Sequence, residues 1–248
     1  EEPLLLAANR DEFYERPTER MHWWPGDAVL AGRDLRSGGA WLGITRHGRF
    51  AMITNIRNPA LRKQSAPSRG ELVRQFLEGA QSAEGFITAT AATASNYEGF
   101  NLLCGDLSGT QRSLWFANSQ EGTAHAVGPG IHGLSNASLD TPWPKLLRMK
   151  QGFRHALAER DLTQRCERLQ RLLHNATPTP EAQLPNTGVP FEVERMLGSI
   201  FIHSGHYGTR ASTVLSVHDD LVTIRETGFG VNGEPQERVE FAFHIQYT

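Results

Sequence analysis

Near its start the chain reads Leu4-Leu5-Leu6-Ala7-Ala8-Asn9-Arg10-Asp11-Glu12. A short apolar run of this kind is typical of a buried strand, and the four polar residues after it predict a turn. The chain therefore opens on a core strand, and we expect the natural protein to contain a preceding strand upstream of Glu1. Without that partner, the strand at 4–8 should have an open edge that offers unpaired N–H and C=O groups.

Further along the chain, strand-like and helix-like segments alternate in blocks. Separate blocks of strands and helices predict antiparallel sheets covered by helices, arranged as two stacked sheets or as one large sheet. The length and composition suit a single α+β domain spanning residues 1–248. We predict strands at 4–8, 29–31, 41–45, 49–55, 101–105, 113–118, 123–127, 131–134 and 239–247, and helices at 68–77, 84–94, from 140 onward, 162–173 and 191–197.

The composition excludes several classes of protein. The net charge is −2 and 21% of residues are charged, so the chain lacks the basic surface of a nucleic-acid-binding protein. No apolar run reaches the 18 or more residues typical of a membrane span. Two cysteines, Cys104 and Cys166, are too few for a disulfide framework and predict a reducing, cytoplasmic location.

Three motif-like patterns do not predict a site. The GxGxxG match at 128–133 precedes no helix, so a turn is the better interpretation than a dinucleotide site. His203 and His206 lie close together, but no further ligand follows at zinc spacing, and we predict no metal site. The sequence also contains no GxSxG nucleophile elbow.

Polar residues recur at the ends of apolar segments, within glycine-rich or small-residue motifs. Asn9-Arg10-Asp11-Glu12 is one such group, and Arg33-Asp34 lies before Gly38-Gly39. Asn136 and Arg210 each stand among small residues in the segments 133–137 and 207–213. Because strand ends often present functional groups in α/β scaffolds, these residues are the candidates for one shared site.

Several longer motifs occur in a fixed order: NRDE at 9–12, AGRDLRSGGAWLG at 31–43, TNIR at 54–57, FNLLCGD at 100–106, GLSNASLDTPWPK at 133–145 and YGTRASTVL at 207–215. In this order they resemble the NRDE family. The resemblance covers residues 4 to about 217. It implies a four-layer αββα sandwich of two mainly antiparallel sheets, similar to N-terminal-nucleophile hydrolases. Family members typically begin Met-Cys, ahead of the NRDE motif.

The resemblance also implies site residues. Arg10, Asn136 and Arg210 match the catalytic positions of N-terminal-nucleophile hydrolases, and Asp11 is the candidate acidic residue, although its spacing differs. Asn136 would then donate to an oxyanion. Arginines beside a thiol would keep it ionised, or would grip a carboxylate ligand with two hydrogen bonds. The expected ligand-binding set is Asn9, Arg10, Arg33, Asp34, Trp41, Asn136 and Arg210.

Two functions follow from this resemblance. The family is linked to haem trafficking, which implies a ligand-handling protein with no required cofactor and with haem, or another amphipathic carboxylate compound, as its small-molecule cargo. Arginines and tryptophans, namely Arg10, Arg33, Arg210, Trp23, Trp24 and Trp41, can supply cations and an apolar slot, although these tryptophans equally suit an ordinary core. The alternative is a cysteine-dependent amidase or acyl hydrolase whose nucleophile lies upstream of this chain.

Overall fold

The computed structural model describes residues 2–247. Within them the chain forms eleven strands and five α-helices. The strands are β1 Leu4–Phe13, β2 Thr18–Trp23, β3 Val29–Asp34, β4 Leu42–Thr45, β5 Arg49–Asn55, β6 Phe100–Asp106, β7 Ser113–Asn118, β8 Thr123–Ala126, β9 Tyr207–His218, β10 Leu221–Phe229 and β11 Pro235–His244. The helices are α1 Gly70–Glu78, α2 Ala83–Ala92, α3 Pro144–Leu157, α4 Leu162–Leu173 and α5 Phe191–Met196.

The strands form two antiparallel sheets. One has seven strands, β2 to β8, in sequence order, and the other has the order β1-β9-β10-β11. Every pairing is antiparallel, so most neighbouring strands are joined by short connections. The predicted α+β class with two antiparallel sheets is confirmed.

Alternation of side chains along the strands builds the layers. In β5, Phe50 and Met52 point into a core shared by the two sheets, whereas Ala51 and Ile53 point into a second core under α1 and α2. A third core lies between the four-stranded sheet and the helices α3 and α4. Three apolar cores between four layers give the αββα sandwich. No helix in residues 2–247 combines the length and apolar character needed to cross a bilayer.

Strand β1 is longer than the sequence predicts. The predicted turn at 9–12 is wrong, because pairing with β9 continues to Phe13, opposite Tyr207. A shift in register between Arg10 and Asp11 accommodates the polar residues, since a bulge re-aims side chains without ending a strand. Within the described residues β1 pairs with β9 alone and lies at the edge of its sheet.

Other local predictions need correction. Residues 131–134 are not a strand, because His132 bonds Gly128 and Asp140 and holds this segment as an irregular loop. Strand β2 lies before Trp24, in a segment for which no strand was predicted. Helix α1 begins at Gly70, two residues after the predicted start. Helix α3 begins at Pro144, a position where proline's missing N–H is not needed.

Candidate functional site

A cavity of about 2200 Å³ runs along β1, between its open edge and the facing sheet and loops. Its volume exceeds the roughly 300–1,000 Å³ of ordinary small-molecule pockets. Of the predicted site residues it is bordered by Asn9, Arg10, Asp11, Arg33, Asp34, Trp41 and Asn136. The sequence-predicted residues are thus brought to one region, with Arg210 outside the cavity wall.

Arg10 lies nearly buried at the cavity wall. Its side chain is only 10% exposed and its Nη2 lies 3.8 Å from a carboxylate oxygen of Asp34. Its Nη1 is buried with no hydrogen-bond partner among the described residues. Burial lowers the pKa of this guanidinium, although Glu12 and Asp34 oppose that effect. An unpaired, buried donor at a cavity wall marks a position where a ligand oxygen would be stabilised.

Asp34 is held in place by its own loop. Its Oδ1 accepts the backbone N–H groups of Arg36 and Ser37 at 2.9 and 3.0 Å, and its Oδ2 accepts from Arg16. These donors keep the pKa of Asp34 low against the effect of desolvation. The following Gly39 packs so closely on Gly70 that a Cβ would lie 2.4 Å from its carbonyl carbon, so the glycine pair is needed for this approach.

Asp11 and Lys145 both border the cavity and interact electrostatically. Asp11 Oδ1 accepts the Thr209 hydroxyl at 2.7 Å. Burial raises the pKa of this carboxyl, while Lys145 is the strongest opposing charge. Lys145 lies in the first turn of α3, and its Nζ donates to the Leu197 carbonyl at 3.0 Å. Burial lowers the pKa of Lys145 to about 8, with Asp11 acting in the opposite direction.

Arg57 forms a buried ion pair beside them. Its Nη1 lies 2.6 Å from Glu194 Oε2, and the side chains are 7% and 4% exposed. The guanidinium carbon lies 4.8 Å from the Trp143 ring centroid, a cation–π geometry. Asn136 supports this segment, because its carbonyl accepts the Arg57 backbone N–H at 2.7 Å and its Nδ2 donates to the Asn55 carbonyl at 2.9 Å.

Two predicted residues have structural contacts instead of free functional groups. Asn9 donates from Nδ2 to the carbonyls of Leu173 and Ile200, each at 2.9 Å, and accepts the Ser212 hydroxyl. Its side chain therefore serves the contact with the helical layer. Arg210 donates from Nη1 to carbonyls at and just after the end of β1, those of Phe13, Tyr14 and Arg16.

The tryptophans divide between the cavity and the cores. Trp41 borders the cavity. Trp24 is 5% exposed, donates to the Ala31 carbonyl and packs under the helices. Trp23 packs edge-on against Phe243 in the core between the sheets. Trp23 and Trp24 therefore do not form the expected ligand slot, while Arg33 borders the cavity with its guanidinium over the Trp24 ring.

The two cysteines are poor nucleophiles. Cys104 is buried in the core between the seven-stranded sheet and its helices, and burial raises its thiol pKa well above the ordinary value. Burial also raises the thiol pKa of Cys166, which packs against the other helical core. Because the thiolate is the reactive form, neither residue supplies an activated nucleophile.

Sequence reasoning missed Arg57 and Lys145 as site residues. Both lie within motifs that were recognised, TNIR and GLSNASLDTPWPK. The only available signals were local. Arg57 comes shortly after an apolar strand, and Lys145 follows a proline-rich helix start. Their proximity to each other depends on packing between segments about 90 residues apart, which no local pattern reveals.

The fold and cavity define an α+β protein of two stacked antiparallel sheets with a charged cavity beside an edge strand. The family model for Transport and Golgi organisation 2 matches residues 1–228. The chain therefore belongs to this family, which confirms the assignment made from its NRDE motifs.

Named relatives agree with this assignment. The chain is 36% identical over 230 residues to the Transport and Golgi organization protein 2 homolog of Bos taurus, which covers 88% of this chain and 83% of that protein. The Homo sapiens homolog gives the same identity and coverage. The Drosophila melanogaster Transport and Golgi organization protein 2 is 26% identical over 253 residues, covering 92% of this chain and 87% of that protein.

Proposed function

We propose that this protein binds a haem-like or other amphipathic carboxylate ligand in the cavity along β1 and passes it to an acceptor. The observation that carries the proposal is the buried Arg10 guanidinium, whose Nη1 has no partner within the described residues and which stands at the wall of a cavity of about 2200 Å³. A ligand carboxylate is the chemical group that satisfies such a donor best.

The cavity wall also suits the apolar body of such a ligand. Apolar side chains border it on several sides, namely Leu4, Leu6, Trp41, Leu103, Leu107, Leu114, Val127, Leu134, Leu139, Leu146, Met149 and Phe153. Ten lysines and arginines border it, against six aspartates and glutamates, among the described residues. An excess of cations with an apolar wall favours an anionic, partly apolar ligand.

A direct titration tests the proposal. Haem is added to the protein and followed by absorbance, and the loaded protein is then mixed with apomyoglobin to follow transfer. We expect saturable binding and transfer. Arg10→Lys should weaken binding by about tenfold or more, because lysine cannot reproduce the forked guanidinium contact. Arg154→Lys, at an exposed position of α3 outside the cavity, is the matched control.

Two results would contradict the proposal. One is absent or non-saturable haem binding by folded protein. The other is equal binding by wild type, Arg10→Lys and Arg154→Lys, which would place haem elsewhere. Turnover of acyl-amide or acyl-thioester substrates without haem binding would instead favour the amidase alternative, in protein that includes an N-terminal cysteine and loses activity on Cys→Ala substitution.

A further inference from the structure

The Arg57 side chain is fixed by two contacts, and one of its terminal nitrogens has no hydrogen-bond acceptor among the described residues. Its Nη1 is bound to Glu194, and its guanidinium lies over Trp143. Glu194 is in turn fixed by the backbone N–H and hydroxyl of Thr187, at 2.8 and 2.5 Å. The Nη2 of Arg57 is nevertheless buried without a hydrogen-bond partner in the described structure. Glu194 accepts only from Nη1, so the second terminal nitrogen, Nη2, still requires a hydrogen-bond acceptor.

Lys145 lies beside Arg57. The two residues line one small void together with Trp143 and Leu197. Both side chains also border the cavity, and both charges act against the effect of burial on the Asp11 carboxyl. Lys145 Nζ donates one of its three N–H groups to the Leu197 carbonyl, so two N–H groups remain for other acceptors. Buried cations with unused donors are costly unless an acceptor compensates them.

We propose that Arg57 and Lys145 form an anion-binding subsite that takes the carboxylate or phosphate group of a ligand in the cavity. The subsite deepens the proposed ligand-binding function and rests on it for the ligand's apolar remainder. It accounts for the unpaired Nη2 of Arg57 and for the unused donors of Lys145 with one acceptor group. Carboxylates and phosphates share the needed chemistry, since each presents several oxygens to forked donors.

Asp11 tunes this subsite. Its carboxylate interacts electrostatically with Lys145 and Arg57, so in the charged form it competes with a bound anion. Burial raises its pKa, and the hydrogen bond from Thr209 acts against that shift. An incoming anion raises the cost of a second negative charge and therefore favours protonation of Asp11. Substitution of Asp11 by asparagine should strengthen binding of an anion.

Lysine NMR provides a direct readout. The chain contains three lysines, Lys63, Lys145 and Lys150, so labelling lysine with ¹³C at the ε position gives a spectrum that is easily assigned. Inorganic phosphate and glutarate are titrated separately into the protein at neutral pH. We expect a saturable shift of the Lys145 resonance with at least one probe, and the stronger probe identifies the chemical class.

Three variants test the contributions of Arg57 and Asp11 to anion binding. Arg57→Lys keeps a positive charge beside Glu194 but removes the forked Nη2, and should weaken the probe's binding by about tenfold, equivalent to about 1.4 kcal/mol. Asp11→Asn should strengthen it. Arg154→Lys, exposed and outside the cavity, should leave it unchanged.

The outcomes separate this subsite from the haem proposal. A Lys145 resonance that neither probe moves, or equal affinity in wild type and Arg57→Lys, overturns the subsite even when haem binds normally. Shifts of Lys63 and Lys150 equal to that of Lys145 show non-specific binding and overturn it as well. A saturable Lys145 shift that is weakened in Arg57→Lys supports the subsite, and if haem fails to bind the same protein, only the haem proposal falls.

Discussion

The Nη1 atom of Arg57 lies 2.6 Å from Oε2 of Glu194, in an ion pair whose side chains are almost completely buried. Arg57 follows β5 of the seven-stranded sheet, whereas Glu194 lies in α5, 137 residues later. The pair therefore connects two distant parts of the chain at the inner wall of the cavity. Thr187 and Trp143 complete its surroundings, so each charged group has a defined place.

Breaking this pair should be strongly destabilising. Glu194→Gln removes the negative charge and leaves Arg57 buried without compensation, which costs roughly 3–5 kcal/mol in buried pairs of this kind. Urea unfolding followed by circular dichroism measures the loss. Glu192→Gln, at an exposed position of the same helix, is the control. A loss below about 1 kcal/mol, typical of surface pairs, would contradict this prediction.

Lys145 should titrate near pH 8, because burial lowers its pKa to about that value. Asp11 raises the pKa of Lys145, so Asp11→Asn should lower it further. Lysine ¹³Cε NMR across a pH series measures both values. Lys63 provides the comparison within the same spectra. An unchanged Lys145 pKa in Asp11→Asn would show that the two groups do not interact.

The same shift gives a pH dependence of stability. An unfolded lysine titrates near pH 10.4, so between about pH 8 and pH 10.4 the unfolded chain holds a proton that folded Lys145 has released. The free energy of unfolding should therefore rise with pH in this window for wild type relative to Lys145→Met. Urea unfolding of both proteins at matched pH values tests the sign, and a falling difference would contradict it.

The affinity for anions should fall over the pH range in which the free energy of unfolding rises. The subsite needs Lys145 in its charged form, so affinity for phosphate or glutarate is expected to be greatest below about pH 8 and to fall as pH rises through that value. Isothermal titration calorimetry of wild type and Lys145→Met measures this dependence. In Lys145→Met the affinity should be weaker and should vary little with pH in that range.

Glu226 joins the two sheets. Its carboxylate in β10 accepts the Met21 backbone N–H of β2 at 2.8 Å and the Thr213 hydroxyl at 2.9 Å, in a buried position. Glu226→Ala leaves both donors unpaired and should lower the free energy of unfolding by about 1–3 kcal/mol or more. Glu226→Gln retains an acceptor oxygen and should lose less. Equal losses in thermal or urea unfolding would argue against the hydrogen bonds as the cause.

Arg210 is expected to act on stability more than on ligand affinity. Its three carbonyl acceptors hold the chain that leaves β1, and its side chain lies outside the cavity wall. Arg210→Gln should cost about 1.5–3 kcal/mol of stability, as expected for hydrogen bonds made by a charged group. Haem affinity measured on the folded variant should fall less than in Arg10→Lys. A larger fall would place Arg210 in direct contact with the ligand.

Local patterns were sufficient for much of the fold. Apolar alternation in the final strand and the apolar stripe of α4 are consequences of one buried face, so they are readable without knowing the partner. The strand at 49–55 was predicted with the bounds that β5 has. The segment after Ala8 was not, because pairing with β9, which skips Arg210 in a bulge opposite Arg10 and Asp11, overrides the preference of polar residues for a turn.

The same division holds for the site. The sequence by itself determined the family, through the order of its motifs, and a set of polar residues at strand ends. Periodicity left two stacked sheets and one large sheet open, and the two-sheet class followed from the family resemblance. Only the tertiary structure decided which of those side chains have free donors. Asn9 and Arg210 donate to backbone carbonyls, whereas Arg10 Nη1 and Arg57 Nη2 are buried without a partner among the described residues. Hydrogen-bond partners and desolvation depend on segments packed from across the chain, and sequence spacing carries no record of them.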